Sequence, residues 1–547
     1  MRIVGIGAVA AGTSAAAKAR RNDEDAQIVL YEKDSYISYS GCGMPYYLGG
    51  QVNELDALTP RDPAFFKSKY NVDVLTQREV LSINPGQKTL RVKNLVTGEE
   101  FDDYYDKLVI ATGASAVMPP IGGINQKHVF TLRSIGDMLA IKGYIDENKP
   151  QAAVIIGTGF IGLEVCENLH ALGISVTLIE KLPQVTPGLD DDMAVYVQEH
   201  LQKHGVQVFT SATVTKITPD SVCLSGGGMV PSQLVLVAAG VRPNTRLASE
   251  AGISLGTSGA IRVNEKMETS IPGIYACGDC IEHMHLVTDK PVYRPLGSTA
   301  NKTGRIAGDQ MTGGDLTFKG ILGTGIFKVF DLTVAQTGLS LREAESLGMD
   351  IVVCHNIKPN KPEYLGGKEM VIKAIAGKKD GRLLGVQIAG YEGVDKRLDV
   401  FVTAISLHAK AEDLFHLDLG YAPPFSTTKD PVMYTGMILE NARRSGRPLI
   451  TAKDLDAFMA SGQPYQVIDA RVAAQYDKGH IAGAQHMPHA NIRTSLEKLD
   501  RDVVTVTYCN KGVTGNAAQN ILLGRGFKRV FNLSGGYKQF QKTIKKG

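Results

Sequence analysis

Short apolar runs that lead into glycine-rich turns recur along this chain and predict parallel β-strands, each followed by a helix. The first such unit covers residues 2–12, an alanine-rich stretch and the apolar residues 28–31, and it ends at Glu32. A second unit of the same kind begins at residues 153–164 and ends with residues 176–180. Two openings of this strand-turn-helix-strand type predict two doubly wound nucleotide-binding domains.

The middle of the chain alternates in a similar way over shorter spans. Residues 105–114 are typical of a strand that enters a tight turn. Residues 371–374 and 384–388 alternate apolar and polar positions, and a helical pattern follows over residues 394–411, so we predict an α+β domain there. The polar segment 442–448 contains Gly and Pro and is typical of a linker.

The last hundred residues return to alternating strands and helices. Apolar runs at residues 466–469, 503–508 and 529–532 predict three strands of a small domain. The predicted fold class is therefore α/β, with two doubly wound nucleotide-binding domains, an α+β domain and a C-terminal α/β domain.

Composition supports a multidomain globular protein. A length of 547 residues is enough for about four domains, and the net charge of +3 gives no indication of nucleic-acid binding. The charge is uneven, because residues 451–547 hold 14 Lys and Arg against 7 Asp and Glu, a surplus of seven, which leaves the first 450 residues at −4. A basic module can attract small anions, although a solvated surface explains the same charges.

The chain shows no pattern of a membrane or secreted protein. It has no run of 18 apolar residues, so we expect no membrane span. Residues 1–21 fit a strand, a turn and a helix better than a signal peptide. The seven cysteines are odd in number and scattered, which argues against a secreted disulfide framework. We therefore expect a soluble cytoplasmic protein with no membrane or nucleic-acid partner.

The first glycine-rich turn has the residues that a dinucleotide site needs. Gly5 permits the tight turn, and Gly7 lets the backbone approach a pyrophosphate. Ala10 is small enough for the helix to pack closely on the strand, and we predict that Ala10 and Ala11 both contact the bound cofactor. Glu32 is placed to accept hydrogen bonds from a ribose 2′-hydroxyl.

The second turn repeats this pattern more strictly, with Gly157, Gly159, Gly162 and Glu180. Since two copies occur in one chain, chance glycine-rich turns explain them poorly.

Further residues add a family resemblance. Thr112 and Gly113, together with residues 269–279, resemble the paired fingerprints of the FAD-dependent pyridine nucleotide–disulfide oxidoreductases. The resemblance covers about residues 1–440. It implies that the first unit binds FAD, that Asp279 binds the flavin ribityl chain, and that the second unit binds NAD(P)H. Glu180 would repel a 2′-phosphate, so we expect NADH, with NADPH as the alternative.

Residues 38–46 carry the candidate redox chemistry. Cys42 has no second cysteine four or five residues away, which excludes a local redox disulfide. A lone cysteine is a nucleophile where a nearby charge or dipole keeps it as a thiolate, and is otherwise an inert residue. The segment resembles the Ser-x-x-Asn-Cys-x-x-Pro-Tyr box of the coenzyme A-disulfide reductases and their persulfide-reducing relatives, which implies that Cys42 is the catalytic thiol. Gly41 stands where that box has Asn, and this leaves the orientation of the substrate open.

The same resemblance implies a coenzyme A site of basic, aromatic and hydroxyl groups. The substrate-binding residues that it implies are Lys18, Arg21, Ser38, Phe66, Lys69 and Tyr364. Tyr421 is implied to be a catalytic residue that reaches the substrate cleft of the other subunit. Surface charge and core packing are the alternatives for these side chains.

Two other groups invite a metal interpretation. Cys277 and Cys280 form a C-x-x-C pair, but they lie within the flavin fingerprint and have no second pair, so we interpret them as packing residues. His283 and His285 are interpreted as loop residues, and we expect no metal site.

The C-terminal domain carries a second candidate thiol. Cys509 follows a strand and starts the loop 509–515, whose backbone N–H groups can surround the sulfur, while Lys511 would favour the thiolate. Residues 455–547, including the closing segment 534–537, resemble a rhodanese (sulfurtransferase) domain, which implies that Cys509 carries sulfane sulfur. The loop lacks the Arg that is common near its fifth position, which leaves the sulfur donor open.

Together the resemblances imply a homodimeric flavoenzyme that uses NADH and FAD to reduce coenzyme A persulfide, polysulfide or coenzyme A disulfide. An NADH oxidase or peroxidase that uses a cysteine sulfenic acid is one alternative, and a redox-sensing or sulfur-relay binding protein is another. The predicted domains are residues 1–116 (FAD-binding, first part), 117–245 (NAD(P)H-binding), 246–320 (FAD-binding, second part), 321–445 (dimerisation) and 450–547 (rhodanese-like).

Overall fold

The computed structural model describes residues 1–444 and 446–544 of the chain. These form two compact units. The nucleotide unit consists of Met1–Lys181 and Val206–Gly323, and the C-terminal unit consists of Leu182–Gly205 and the chain from Thr324 onward. Ser445, in the predicted linker, and residues 545–547, in the predicted last domain, lie outside the described residues. Within the described residues, no helix is long and apolar enough to cross a membrane.

Two parallel five-stranded sheets organise the nucleotide unit. Their central strands are runs of Val, Ile, Leu and Ala that are buried on both faces, as parallel sheets require. In spatial order, the first sheet consists of Ile274–Ala276, Lys107–Ile110, Arg2–Ile6, Gln27–Tyr31 and Val72–Leu75. The second consists of Gln207–Phe209, Ser175–Ile179, Ala152–Ile156, Leu234–Val237 and Val129–Phe130.

Smaller antiparallel sheets and eight helices complete this unit. The small sheets are Arg78–Asn84 with Thr89–Asn94 and Glu100–Tyr104, Val214–Ile217 with Ser221–Leu224 and Met229–Pro231, Val241–Pro243 with Ala114–Ala116, and His283–Met284 with Pro291–Val292. The helices of the described residues are Ala10–Asn22, Met44–Leu48, Leu55–Leu58, Pro63–Tyr70, Ile135–Asn148, Phe160–Ala171, Arg246–Glu250 and Gly297–Met311.

Small residues bring the first helix, Ala10–Asn22, against helix Gly297–Met311. A Cβ atom added at Gly304 would lie 2.2 Å from the carbonyl oxygen of Ala11, so a larger residue would push the two helices apart. This contact fixes the helix that follows the first glycine-rich turn.

The C-terminal unit contains an antiparallel sheet and a parallel sheet. The antiparallel sheet has the order Gly325–Val329, Leu332–Gly338, Leu383–Gly390, Glu369–Gly377 and Ile351–Pro359. The parallel sheet has the order Leu449–Ile450, Val530–Leu533, Val504–Tyr508, Tyr465–Asp469 and Gln485–His486. The helices are Asp191–Lys203, Leu341–Ser346, Val394–Ser406, Asp413–His416, Pro431–Arg444, Ala452–Ala460, Ala473–Asp477, Val513–Gly524 and Gly536–Thr543.

These elements confirm the predicted α/β fold class, but two predicted segments were wrong in extent. The helix expected over residues 394–411 ends at Ser406, because His408 adopts φ +59°, a left-handed conformation that terminates helices. The predicted linker 442–448 is helical at its start, because helix Pro431–Arg444 includes residues 442–444. Arg444 pairs with Glu440 one turn earlier, at 2.7 Å, and this i,i+4 pair supports the final turn.

Candidate active site

The first glycine-rich turn has the geometry of a phosphate cradle. Gly7 has φ +101°, and a Cβ atom there would lie 2.3 Å from the carbonyl oxygen of Ala111. No side chain caps the helix that starts at Ala10, so its first N–H groups face the turn without a side-chain acceptor. The Glu32 carboxylate accepts hydrogen bonds from the backbone N–H groups of Ala8 (2.8 Å) and Asp34 (3.0 Å). This cradle fits a dinucleotide pyrophosphate.

The second turn repeats this construction. Gly157 has φ +103°, and Gly162 passes so close that a Cβ atom there would lie 2.4 Å from the Gly157 carbonyl oxygen. A Cβ atom at Gly159 would meet nothing within 4 Å, which leaves room at the helix start. Glu180 follows strand Ser175–Ile179 and accepts hydrogen bonds from the N–H (3.0 Å) and hydroxyl (2.7 Å) groups of Thr158. Its carboxylate is thereby held at the mouth of the cradle.

The two flavin-fingerprint segments meet at adjacent strands. Cys277 donates its backbone N–H to the Ile110 carbonyl oxygen at 3.0 Å. Ile110 lies two residues before Thr112, which Gly113 follows. Asp279 forms a 2.6 Å ion pair with Arg133. The fingerprints therefore lie together in the nucleotide unit, with a carboxylate fixed between them.

Cys277 and Cys280 are packing residues in this structure. Both side chains are fully buried and free, and burial raises the pKa of both thiols, that of Cys280 to about 11. The Cys280 thiol donates to the carbonyl oxygen of Cys277 at 3.2 Å.

Cys42 lies in a single 3₁₀ turn, Gly41–Gly43, directly before helix Met44–Leu48. The residue is exposed and the thiol is free. Exclusion of water by neighbouring atoms raises the pKa of the thiol, the Glu164 and Asp279 carboxylates raise it further, and Arg133 opposes them. The residues around Cys42 therefore disfavour its thiolate form.

Gly41, which replaces the Asn of the similar box, leaves open space. A Cβ atom at this position would meet only the Met44 methyl group, at 3.9 Å. At Gly43 it would lie 2.4 Å from a methyl group of Leu58. The absence of a side chain at position 41 is therefore not a packing requirement, whereas a side chain at Gly43 would displace Leu58.

Glu164 is a site residue that the sequence analysis missed. It lies on helix Phe160–Ala171, and its electrostatic effect reaches Cys42. Burial and the Glu167 carboxylate raise the pKa of Glu164 to about 7, while a hydrogen bond from Tyr46 opposes them. Near neutral pH, Glu164 can therefore hold or release a proton beside the candidate redox thiol. Its position two residues after Gly162 was the available signal.

A cavity of about 500 Å³ opens beside the segment that leads to Cys42. The predicted residues Arg21, Ser38 and Phe66 line it. Arg61 and Arg305, which sequence reasoning missed, also line it. Three guanidinium groups around one cavity suit a ligand with several phosphates.

The other predicted substrate-binding side chains lie elsewhere. Lys18 pairs with Asp309 at 2.9 Å, and the Lys69 ammonium lies 5.6 Å from the Tyr70 ring centroid. Neither side chain lines the cavity. Tyr364 belongs to the C-terminal unit and is 77% exposed there, and the predicted catalytic residue Tyr421 belongs to the same unit and is 50% exposed.

The loop that begins at Cys509 is shaped by the turn that closes the domain. Tyr537 donates its backbone N–H to the Cys509 carbonyl oxygen at 2.8 Å. A Cβ atom at Gly536 would lie 2.2 Å from that oxygen, so the predicted segment 534–537 packs directly on the loop. Gly512, at φ +95°, turns the loop into helix Val513–Gly524. Cys509 is buried in this loop as a free thiol.

The Lys511 side chain forms an ion pair outside the loop. Its ammonium pairs with Glu369, on strand Glu369–Gly377, and Lys538 pairs with the same carboxylate at 2.6 Å. This pairing compensates the charge of Lys511, and its effect on the Cys509 thiol stays a prediction. A buried Arg471, bound to Asp469 at 2.6 Å, reaches Asn510 of the loop at 3.3 Å.

The basic surplus of the last hundred residues is partly used in docking this domain within the C-terminal unit. Lys453 pairs with Asp191, and Lys542 pairs with Glu199, both on helix Asp191–Lys203. These pairs and those at Glu369 account for four of the lysines in the basic segment. Fewer unpaired lysines are therefore left to attract anions than the sequence suggested.

A buried polar cluster lies beneath these ion pairs. The Asp192 carboxylate binds Lys373 at 2.7 Å and His355 at 2.9 Å, and His355 contacts the Ser534 hydroxyl at 3.0 Å. Burial would raise the pKa of Asp192, but His355 and Lys373 outweigh it and hold the pKa well below its usual range. The carboxylate therefore stays ionised, and the cluster connects the closing turn of the last domain to the sheet on which it docks.

Comparison with known proteins decides the family. Residues 1–292 match the pyridine nucleotide-disulphide oxidoreductase family, and residues 325–431 match the dimerisation domain of these enzymes. The chain belongs to the pyridine nucleotide-disulphide oxidoreductases. The family is FAD- and NAD(P)H-dependent, and both cradles described above fit these dinucleotides. Residues 451–543 match the rhodanese-like domain, so this member carries a rhodanese-like domain at its C-terminus.

Individual relatives cover most or all of the chain. An NADH oxidase from Methanocaldococcus jannaschii is 37% identical over 79% of this chain and 97% of its own length. Reduced CoADR-RHD from Bacillus anthracis is 38% identical, covers 99% of this chain and 98% of its own, and has a TM-score of 0.97. An NAD-dependent persulfide reductase from A. fulgidus, also 38% identical, covers 99% of this chain and all of its own, with a TM-score of 0.91.

Proposed function

We propose that this protein uses NADH and FAD to reduce coenzyme A persulfide, polysulfide or coenzyme A disulfide through Cys42. The observation that carries the proposal is the arginine-lined cavity at residues 38–40, the segment that leads directly to this lone exposed thiol. Coenzyme A ends in a thiol and carries three phosphate groups, which match Arg21, Arg61 and Arg305. The similar proteins named CoADR-RHD and persulfide reductase support it.

In this mechanism, the Cys42 thiolate attacks one sulfur of the bound substrate. With coenzyme A disulfide, a Cys42–S–S–CoA bond forms, and the S–S bond of the substrate breaks to release coenzyme A thiolate. With coenzyme A persulfide, the same mixed disulfide forms, and hydrosulfide leaves. The cradle at Gly7 and the Asp279 carboxylate would hold FAD, which would supply the electron pair from NADH that reduces the mixed disulfide to Cys42 thiolate and coenzyme A thiol. Glu164 provides a proton to the departing sulfur, since its pKa of about 7 suits both protonation states.

The rhodanese-like domain supplies or accepts sulfane sulfur at Cys509 in this proposal. A Cys509 persulfide lies in a loop whose backbone donors can stabilise its charge. Coenzyme A is the mobile carrier that brings sulfur from Cys509 to Cys42. We further propose that the protein is a cytoplasmic homodimer, in which Tyr421 and Tyr364 serve the substrate site of the other subunit; the matching dimerisation domain supports this assembly.

We infer that NADH is the preferred reductant, because Glu180 stands where a 2′-phosphate would lie. Glu180→Ala should weaken NADH binding about tenfold, because hydrogen bonds to a charged group are lost. The preference for NADH over NADPH should become smaller. The kcat/KM values for the two nucleotides measure this. A wild-type enzyme that already prefers NADPH would show that the assignment of Glu180 is wrong.

The second candidate function is an NADH oxidase, which the name of the relative from Methanocaldococcus jannaschii favours. A rhodanese-like domain at residues 451–543 handles sulfur and is not needed for oxygen reduction. NADH consumption measured in parallel with coenzyme A disulfide, coenzyme A persulfide and oxygen separates the two functions. Our proposal predicts that both sulfur substrates give the higher kcat/KM, and a higher value for oxygen would overturn it.

A further inference from the structure

Two histidines and one aspartate of the C-terminal unit come together away from both candidate thiols. His200 lies on helix Asp191–Lys203, and His204 follows its last residue, so the two rings lie one turn apart on the same side. Asp331 lies in the turn between strands Gly325–Val329 and Leu332–Gly338. One ligand atom from each of the three side chains lies within 4.8 Å of the other two.

The orientation of both rings is set by neighbouring groups. The Nδ1 atom of His204 lies 2.9 Å from the His200 carbonyl oxygen, which fixes the proton on Nδ1 and leaves a lone pair on Nε2. The Phe330 ring stacks on His204, with centroids 4.1 Å apart and an angle of 5°. Phe330 adopts φ +52°, a conformation that is costly for a bulky residue and that places Asp331 beside the two rings.

The contact between His200 and Asp331 is short but does not have the geometry of a well-directed hydrogen bond. The Nε2 atom of His200 lies 2.8 Å from Oδ1 of Asp331, yet this buried atom has no partner of hydrogen-bonding geometry within residues 1–444 and 446–544. A shared third atom that both groups bind would account for a short contact without good hydrogen-bond geometry.

We propose that His200, His204 and Asp331 form a Zn²⁺ site. Two imidazoles and one carboxylate are a ligand set that suits this ion, and water would complete a tetrahedral shell. Tetrahedral Zn²⁺ requires ligand atoms about 3.3 Å apart, so a small rotation of the 66% exposed Asp331 side chain closes the site. The ion fastens the end of helix Asp191–Lys203 to the turn at Asp331. The expectation from sequence that the chain has no metal site considered other histidines and overlooked these, because Asp331 lies 127 residues beyond His204.

Zinc titration of the full chain tests the site. Tag-free protein that has been treated with a chelator and dialysed should bind one Zn²⁺ per chain in a calorimeter. Asp331→Asn and His204→Gln should each weaken binding at least about tenfold, because each removes one of three protein ligands. His416→Gln, at an exposed histidine of the same unit, is the matched control and should keep the wild-type affinity.

Thiols are the competing explanation for zinc binding, and they can be separated. A Cys42→Ser, Cys509→Ala double variant should bind Zn²⁺ as the wild type does. Co²⁺ bound to wild-type protein should give tetrahedral visible bands without an intense thiolate charge-transfer band, a readout that needs no variant to fold. The proposal fails if the wild type binds no stoichiometric Zn²⁺, if Asp331→Asn and His204→Gln bind it equally well, or if the thiolate band appears.

Discussion

At the scale of single residues, the charges around Cys42 decide when it can react. The exclusion of water and two carboxylates raise the pKa of this thiol, while Arg133 lowers it. A thiol attacks as its thiolate, so these neighbouring groups lower the reactivity of Cys42 in the resting enzyme. Protonation of Glu164, whose pKa is about 7, removes one of the two opposing charges. The thiol and the carboxyl group therefore titrate as a coupled pair.

Replacement of this carboxylate should release the restraint. Glu164→Gln is expected to lower the pKa of Cys42, because the negative charge that opposes its ionisation is gone. The rate of Cys42 alkylation by iodoacetamide, followed against pH by mass spectrometry, measures the change. Glu167→Gln is the matched control on the same helix. Loss of the Glu167 charge lowers the pKa of Glu164, so Glu164 stays ionised near Cys42 in this variant. An unchanged alkylation profile in Glu164→Gln would show that the two groups are not coupled.

Residue types with a steric requirement could be predicted from sequence, and residues that meet through the fold could not. Gly7 and Gly162 are required because a Cβ atom would strike a carbonyl oxygen, and this leaves a fixed spacing in the sequence. Arg61 and Arg305 reach one cavity from segments 244 residues apart, and no local pattern marks either. Cys42 was found because Ser38, Pro45 and Tyr46 around it match a known box.

At the scale of elements, helix Asp191–Lys203 and strand Glu369–Gly377 form the surface on which the rhodanese-like domain docks. Asp191 and Glu199 of the helix, and Glu369 of the strand, pair with lysines of that domain. The strands of the docked domain were predictable from apolar runs, for example Tyr465–Asp469 from residues 466–469. The docking itself could not be predicted, because the sequence shows the positive surplus but not which carboxylates pair with it.

The docking should depend on Glu369. Burial raises the pKa of this carboxyl group, but hydrogen bonds from Lys511 and Lys538 lower it overall. The docking contribution is therefore complete above the ordinary pKa of Glu and is lost as the pH falls through the lowered value. Glu369→Gln should raise amide hydrogen exchange in residues 509–515 about two- to fivefold at pH 7, since partly exposed ion pairs contribute up to about 1 kcal/mol.

The control for this measurement is Asp350→Asn, which removes an exposed pair with Lys378 on the same sheet. Exchange in residues 509–515 should stay at the wild-type rate in that variant. Equal exchange in Glu369→Gln and wild type would mean that these lysines do not hold the loop.

At the scale of the whole molecule, the two candidate thiols belong to different compact units and have opposite exposures. Cys42, in the nucleotide unit, is exposed, and Cys509, in the C-terminal unit, is buried in its loop. This difference fits separate roles, in which Cys509 holds sulfane sulfur, Cys42 reacts with the substrate, and a mobile carrier moves sulfur between the two thiols.

Loss of the second thiol should separate the two activities. Cys509→Ala is expected to abolish sulfur transfer from thiosulfate or polysulfide to an acceptor thiol, and to leave coenzyme A disulfide reduction within about twofold of wild type, as is usual for a change outside the reacting groups. After incubation of wild-type protein with polysulfide, mass spectrometry should find one added sulfur atom, about 32 Da, on the Cys509 peptide. Sulfur found only on Cys42 would identify the C-terminal domain as a docking or regulatory module.

The central claim, that Cys42 is the thiol through which NADH reduces the sulfur substrate, is tested most directly by Cys42→Ser in the holoenzyme. Anaerobic stopped-flow absorbance should show that NADH still reduces the bound flavin at the wild-type rate. Turnover with coenzyme A disulfide and coenzyme A persulfide should fall at least about a thousandfold, because the attacking group is gone. Cys223→Ser, at a free half-buried cysteine on strand Ser221–Leu224, should leave both rates unchanged. Substantial persulfide or disulfide turnover by the Cys42→Ser enzyme would contradict the claim.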